Sequence, residues 1–276
     1  MKKLGNLLAV LLILALIPAC ATTSTTAQKA PAVTALERIV QKGELTVGTA
    51  ASMPPYNMTT KDGKVIGYEI DMANMMANAM GVKLNIKTMD FGKLLPALEA
   101  GQIDMAISSI TITGKRNLKV AFVGPYAVTG KGLLTREKRI AEVKDPAQIN
   151  NPNTTLVALK GSTSALFVQK LIPKARLVTV DDYQEAVNMV IEDKANAMIA
   201  DYAACLVSVL QYKDAGLVAA VAPLTREPLG IALPPNDSQI VNWTQNFLHT
   251  LEGTGQLRAL KKRWIEDSSW IDNLKQ

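Results

Sequence analysis

Histidine is nearly absent from this 276-residue chain, which has His249 alone, and cysteine is limited to Cys20 and Cys205. Without a second histidine or a Cys/His cluster, neither a zinc site nor a Ser-His-Asp triad can be assembled. No metal and no cofactor is therefore implied, and His249 is expected on a helix surface. Cys205 lies in the apolar run Ala203-Ala-Cys-Leu-Val207, where it is expected to pack as a small hydrophobe, and no disulfide is expected. Long apolar runs are scarce too. Residues 7–17 form an unbroken run of eleven, too short to span a bilayer core of about 30 Å. Preceded by Met1-Lys-Lys-Leu and closed by Pro18-Ala-Cys20, that run has the pattern of a secretory signal, so export is expected. A dominant charge sign is also missing. Thirty basic against 24 acidic residues give +6, of which Lys2 and Lys3 supply two, leaving +4 beyond the signal. The basic residues are scattered and no nucleic-acid motif is present, which excludes nucleic acid as a partner.

What is there is 48% apolar and 20% charged, enough for two medium-sized cores. Residues 21–31 are rich in Thr, Ser and Ala without apolar periodicity, as expected of a flexible tether. Then strand and helix patterns alternate. Strands are expected at residues 44–50, 82–88 and 104–107, and helices at 72–80, stopped by Gly81, and at 91–100, stopped by Gly101. Thr60-Lys-Asp-Gly-Lys-Val carries a hairpin signal. The pattern restarts with strands at 132–135, 155–159, 176–180, 195–200 and 230–234. Helices are expected at 162–171 and at 183–192, the latter capped by Asp181 or Asp182 with Gln184 and Glu185 as capping-box partners. Residues 238–270 should form two helices split by Gly253-Thr-Gly255 and return to the first lobe. Strand, helix, strand order implies parallel pairing, with ligand sites outside the strand C-terminal ends.

The stretch Ala106-Ile-Ser-Ser-Ile-Thr-Ile-Thr-Gly-Lys-Arg116 is the candidate site. It runs from a buried strand through hydroxyl residues into a helix start at Gly114, where Lys115 and Arg116 meet the positive end of the helix dipole. Two cations there call for an anion, and a guanidinium beside hydroxyls and free N–H groups suits a carboxylate or phosphate. An Arg paired with a structural acid is the alternative.

Glu44-Leu-Thr-Val-Gly-Thr, Pro54-Pro-Tyr, Gly67-Tyr-Glu-Ile-Asp71, Leu94-Leu-Pro-Ala-Leu-Glu-Ala-Gly-Gln-Ile-Asp-Met105, Thr111-Ile-Thr-Gly-Lys-Arg116 and Phe122-Val-Gly-Pro-Tyr126 come in a characteristic order and spacing. The series resembles the polar-amino-acid type (family 3) of bacterial extracytoplasmic solute-binding protein, the receptor of ABC importers, over residues 36–270. The resemblance implies an α/β, two-lobe, periplasmic-binding-protein-like (type II) fold. Each lobe would be a mostly parallel sheet flanked by helices, with two crossover hinge segments. The corresponding division is signal peptide 1–19, tether 20–34, first lobe 35–125, hinge 126–130, second lobe 131–224, hinge 225–229, and first lobe again 230–276. Ile17-Pro-Ala-Cys20 resembles the lipobox, which implies a lipid on Cys20; Pro18 is unusual there, and simple cleavage is the alternative.

By the same resemblance Arg116 is the clamp for a ligand carboxylate, helped by Thr111 and Thr163, with Ser108 in the same loop. Asp201, with Ser109 beside it, is the acceptor for the α-ammonium; read alone, Asp201 is an N-cap for a helix over 202–211. Phe91 matches an aromatic covering the ligand side chain, although alone it reads as core. Where many relatives place an Asp after the first strand this chain has Ala50, and Met53 replaces an aromatic lid. With the apolar wall at Leu159, these departures point to a neutral ligand, because a buried cationic or amide group without a partner costs several kcal/mol. The implied partners are a small amino acid and an inner-membrane permease, for a monomer in the periplasm or cell envelope. The competing class is enzymatic, since the fold includes cyclohexadienyl and arogenate dehydratases. Such an elimination needs a proton donor, and Gly161-Ser-Thr-Ser-Ala-Leu-Phe-Val-Gln-Lys170 carries no carboxylate. A signalling ectodomain would need a second apolar span, and none occurs in the sequence.

Overall fold

A computed structural model describes residues 33–274, so the signal, Cys20 and most of the tether lie outside the described residues. In the first lobe, α1 (Ala35–Lys42) opens on a reciprocal capping box between Thr34 and Glu37 and leads into β1 (Glu44–Thr49). A small antiparallel sheet of β2 (Ser52–Met53), β3 (Asn57–Thr59) and β4 (Val65–Ile66) follows, its last turn made by the Asp62-Gly63 pair, with Gly63 at φ 81°. Helix α2 (Tyr68–Met80) begins four residues before the expected start. Glu69 and Asp71 fall in its first turn, where the dipole favours acids, and Gly81 ends it in the left-handed conformation. Next come β5 (Lys83–Thr88), a 3₁₀ turn at Phe91–Lys93 running into α3 (Leu94–Glu99), β6 (Met105–Ala106) and α4 (Gly114–Asn117). Pro96 confines the helical part of that segment to six residues, shorter than expected.

β7 (Ala121–Thr129) then leaves the first lobe and, one residue later, β8 (Lys131–Thr135) enters the second. The second lobe adds α5 (Lys138–Ala141), β9 (Thr155–Leu159), α6 (Thr163–Leu171), β10 (Arg176–Val180) and α7 (Tyr183–Ile191). β11 (Ala197–Asp201), α8 (Tyr202–Gln211) and β12 (Val218–Ala219) complete it. Asp182 caps α7, accepting from the backbone N–H of Gln184 and Glu185. β13 (Glu227–Leu233) returns to the first sheet three residues earlier than expected, because it pairs antiparallel with β7 from Glu227 opposite Thr129 to Leu233 opposite Ala121.

The sheets are ordered β5-β1-β6-β13-β7 and β10-β9-β11-β8-β12. In each sheet one strand, β13 in the first and β8 in the second, runs antiparallel to both its neighbours and the other four run the same way, so the sheets are mixed but mostly parallel in direction. The two crossovers lie side by side. A Cβ at Gly130 would stand 2.1 Å from the Thr225 carbonyl oxygen, so only glycine lets the strands approach this closely. Leu45, Met72, Met105 and Ile231 belong to the main core, and Leu133, Leu156, Val168 and Ile199 to a second cluster in the second lobe. Cys205 is buried, as expected, and His249 is exposed.

After α9 (Ser238–Gly253) and α10 (Gln256–Lys261) a π turn at Lys262–Glu266 rotates Trp264 inward, where its Nε1 donates to Asp71 Oδ2 at 2.8 Å. The tail then bridges Leu274 to Thr60 and packs Ile271–Asn273 against α8. It therefore returns to the first lobe as expected and also touches the second. Among the described residues no helix is long and apolar enough to cross a membrane.

Candidate functional site

The site begins with a buried carboxylate. Glu69 is wholly inaccessible and accepts the Ser109 N–H at 2.7 Å, the Ser109 hydroxyl at 3.0 Å, the Asn57 amide at 2.7 Å and the Tyr126 phenol. Burial pushes its carboxyl up from the ordinary value, and these donors pull it back. Ser109 has φ 49°, so the bonds to Glu69 hold a non-glycine residue in the left-handed region and set the turn after β6. Tyr126, on the first crossover, is stacked on Tyr68 at 6.1 Å, and Tyr68 meets Tyr56 edge-on at 5.9 Å. Burial pushes the Tyr68 phenol up to about 12. Glu69 thus ties the site loop to a crossover strand.

Beyond that turn Thr113 caps α4 by accepting the Arg116 N–H. The Arg116 side chain folds back so that Nη1 donates to the Thr111 carbonyl at 2.8 Å and Nη2 to the Gly161 carbonyl of the other lobe at 3.1 Å. Its Cζ stands 5.5 Å from the centre of the Phe91 ring. No carboxylate lies within salt-bridge distance of it among the described residues. Burial lowers its pKa, while Asp201 and Glu227 lie within electrostatic reach and raise it. The Thr111 and Thr163 hydroxyls meet across the cleft at 3.2 Å, so the lobes are in direct contact here.

On the second lobe Asp201 ends β11 and is 3% exposed. It occupies the N-cap position of α8 but makes no capping bond. Its Oδ1 instead accepts from Lys131 Nζ at 3.1 Å, its N–H donates to the Tyr183 hydroxyl at 3.3 Å, and its buried Oδ2 has no partner. Lys131 is 2% exposed and also faces Glu227 Oε2 at 3.7 Å.

Arg116, Thr111, Thr163 and Phe91 therefore come together, with Asp201 within electrostatic reach. Met53 and Leu159 are buried, and Ala50 is partly buried. Two of the candidates also make bonds within the first lobe. There Ser109 donates its N–H and its hydroxyl to Glu69, because its left-handed turn aims both donors inward. Ser108 spends its hydroxyl as acceptor for the Ala50 N–H at 2.9 Å, which fixes the loop after β1. Glu69 and Lys131 were missed. Glu69 stood unassigned within Gly67-Tyr-Glu-Ile-Asp71, and the available signal for Lys131 was a single cation between Gly130 and the apolar run Gly132-Leu-Leu.

A cavity of about 720 Å³ opens elsewhere, between β2–β3, α7, α8 and Leu274; Tyr183 lines it, but Arg116, Phe91 and Thr163 do not. At the Arg116 side the lobes touch through Thr111 and Thr163, and the candidate site is defined by its charged groups, not by that cavity.

A profile of the bacterial extracellular solute-binding proteins, family 3, matches residues 45–267. The chain belongs to that family. It is 28% identical over 235 residues to a cyclohexadienyl dehydratase of Pseudomonas aeruginosa, covering 84% of this chain and 86% of that one. It is 24% identical to an L-cystine-binding protein of Escherichia coli, covering 83% and 85%. Among solved structures, one from Wolinella succinogenes, described as a binding component of an ABC transporter complexed with lysine, is 36% identical, covers 84% of this chain and 99% of that one, and has a TM-score of 0.79. An ancestral amino-acid-binding protein, described as a precursor of cyclohexadienyl dehydratase, is 30% identical with a TM-score of 0.76, covering 83% and 98%. The type II two-lobe architecture seen here is theirs.

Proposed function

We propose that this family member is an extracytoplasmic receptor that closes on a neutral L-amino acid and delivers it to an ABC importer permease. The observation that carries the reading is a complementary pair of unmet needs among the described residues: a guanidinium with no carboxylate in direct contact on one lobe and a buried, partnerless carboxylate oxygen on the other. An amino-acid zwitterion supplies the carboxylate for Arg116 and the ammonium for Asp201, so it bridges the lobes. Segments 126–130 and 225–229 would be the hinges. Met53, Phe91 and Leu159 offer apolar surface, and Ala50 offers no charge, which supports a neutral side chain over the lysine of the Wolinella structure. Lipid attachment at Cys20, in the periplasm or cell envelope, belongs to the same proposal, as does a monomeric receptor.

The Pseudomonas relative keeps a dehydratase in view as the second reading. Asp201 and Glu227, the carboxylates within electrostatic reach of Arg116, both face Lys131, so each is already engaged with a cation of the protein. A thermal-shift screen of the amino acids, with a turnover assay on prephenate and arogenate, decides between the two. A receptor should gain about 2.7 kcal/mol at 100 times the dissociation constant of its ligand and show no turnover. Turnover of either acid would establish the enzyme. Mass spectrometry should find an acylated Cys20; a free Ala21 or earlier N-terminus would remove the anchor and leave export intact.

A further inference from the structure

Lys131, only 2% exposed, is among the largest side chains buried so deeply in the described residues. Burying an ammonium costs several kcal/mol even when it is paired, and an apolar residue of similar volume is often as stable or more so, so the core gains nothing obvious from it. Its surroundings are organised. Lys131 opens β8 directly opposite Asp201 in the antiparallel register. Its backbone N–H donates to the Thr225 hydroxyl at 3.0 Å, and that hydroxyl donates to Glu227 Oε1 at 3.0 Å. Its ammonium lies 3.1 Å from Asp201 and 3.7 Å from Glu227. One lysine therefore joins the start of the second lobe, the returning crossover and the end of β11.

Two consequences follow from the geometry. Lys131 fixes one oxygen of Asp201 and leaves the other buried and unpaired, an arrangement that a native interior tolerates when another donor arrives. Lys131 and Arg116 also carry two positive charges against the two negative charges of Asp201 and Glu227, which lie within electrostatic reach of Arg116. The cluster is neutral before any ligand enters. A zwitterion with an uncharged side chain keeps it neutral, whereas lysine or arginine brings an extra positive charge close to a buried ammonium.

We infer that Lys131 is a positioning and specificity-determining residue, a built-in counter-ion that aims Asp201 at the ligand ammonium and matches the cleft to ligands of zero net charge. This rests on the amino-acid-receptor reading. It assigns the choice of ligand charge to a residue behind the recognition carboxylate, in addition to the apolar wall at Ala50 and Met53.

The test compares wild type, Lys131→Met, Glu227→Gln and the double variant, each checked for folding by circular dichroism and titrated with L-leucine and L-lysine. The four clusters carry 0, −1, +1 and 0 net charge. The lysine-to-leucine affinity ratio should rise about tenfold in Lys131→Met, fall about tenfold in Glu227→Gln, and return to the wild-type ratio in the double variant. A merely structural lysine would change both affinities together and leave the ratio alone. Should Lys131→Met not fold, Lys131→Gln, which removes the same charge but keeps a polar side chain, takes its place with the same expected ratio. An unchanged ratio in the folded variants overturns the role of Lys131 while leaving the receptor intact. Failure of wild type to bind either leucine or lysine, or any other amino acid, overturns the receptor and this inference with it.

Discussion

Arg116 on the first lobe is held by two backbone carbonyls and a phenyl face, whereas Asp201 on the second is held by a lysine at 3.1 Å. Each has a buried group of opposite sign in its own lobe. Glu69 lies beneath the loop that leads to Arg116 but bonds only Ser109, Asn57 and Tyr126; Lys131 bonds Asp201 itself. The first lobe thus presents a whole positive charge from a pre-set loop, and the second a negative charge already shared. The carboxylate end of a ligand should therefore contribute more to binding than the ammonium end, although both bridge the lobes.

The largest expected effect follows from that asymmetry. Arg116→Ala removes the partner of the ligand carboxylate, a guanidinium with no carboxylate in direct contact among the described residues, and with charge-assisted hydrogen bonds worth about 1.5 to 3 kcal/mol each, affinity should fall about 100-fold with the fold intact. Titration calorimetry reads this, and a loss under tenfold would break the comparison. Glu69→Gln should come next, as a stability effect. It puts a donor where donors converge, leaving at least one buried group unpaired, so unfolding free energy should drop by about 2 kcal/mol in a denaturant titration. No change would mean that Glu69 supports nothing. Asp201→Asn should cost about tenfold in affinity, less than Arg116→Ala because Lys131 already shares that charge; an equal or larger loss would reverse the ranking. The smallest effect is expected at Ala50→Asp, a several-fold shift of preference towards arginine and lysine, since a buried anion rewards a ligand cation. Competition binding that still ranks neutral amino acids first by the same margin would count against Ala50.

Much of this was legible in the sequence because it is local. Thr155–Leu159 and Arg176–Val180 fall where alternation and punctuation put them, as do the stop at Gly81 and the cap at Asp182, one of the two aspartates offered. The start of β13 was missed because its first residues owe their extension to pairing with β7, nearly one hundred positions away. The start of α2 was missed because Gly67 lacks a side-chain cap, leaving the first-turn acids as the only signal. In the site, resemblance put Arg116 and Asp201 on opposite lobes. It could not find Glu69 or Lys131, whose roles arise from what folds around them: donors from three separate segments in one case, and a cross-strand neighbour in the other. The bonds of Ser109 to Glu69 were hidden for the same reason, since its backbone angle sets where its donors point.

The central claim is that a zwitterion closes the cleft by answering Arg116 at one end and Asp201 at the other. It is tested most directly by titrating wild type with the tightest-binding amino acid, its carboxamide and its deaminated acid, and following compaction by small-angle scattering. The account predicts that the intact amino acid compacts the protein, that the carboxamide loses about 100-fold and the deaminated acid about tenfold in affinity, and that neither analogue compacts it fully. An analogue that binds and compacts the protein as well as the intact amino acid would contradict the two-lobe clamp.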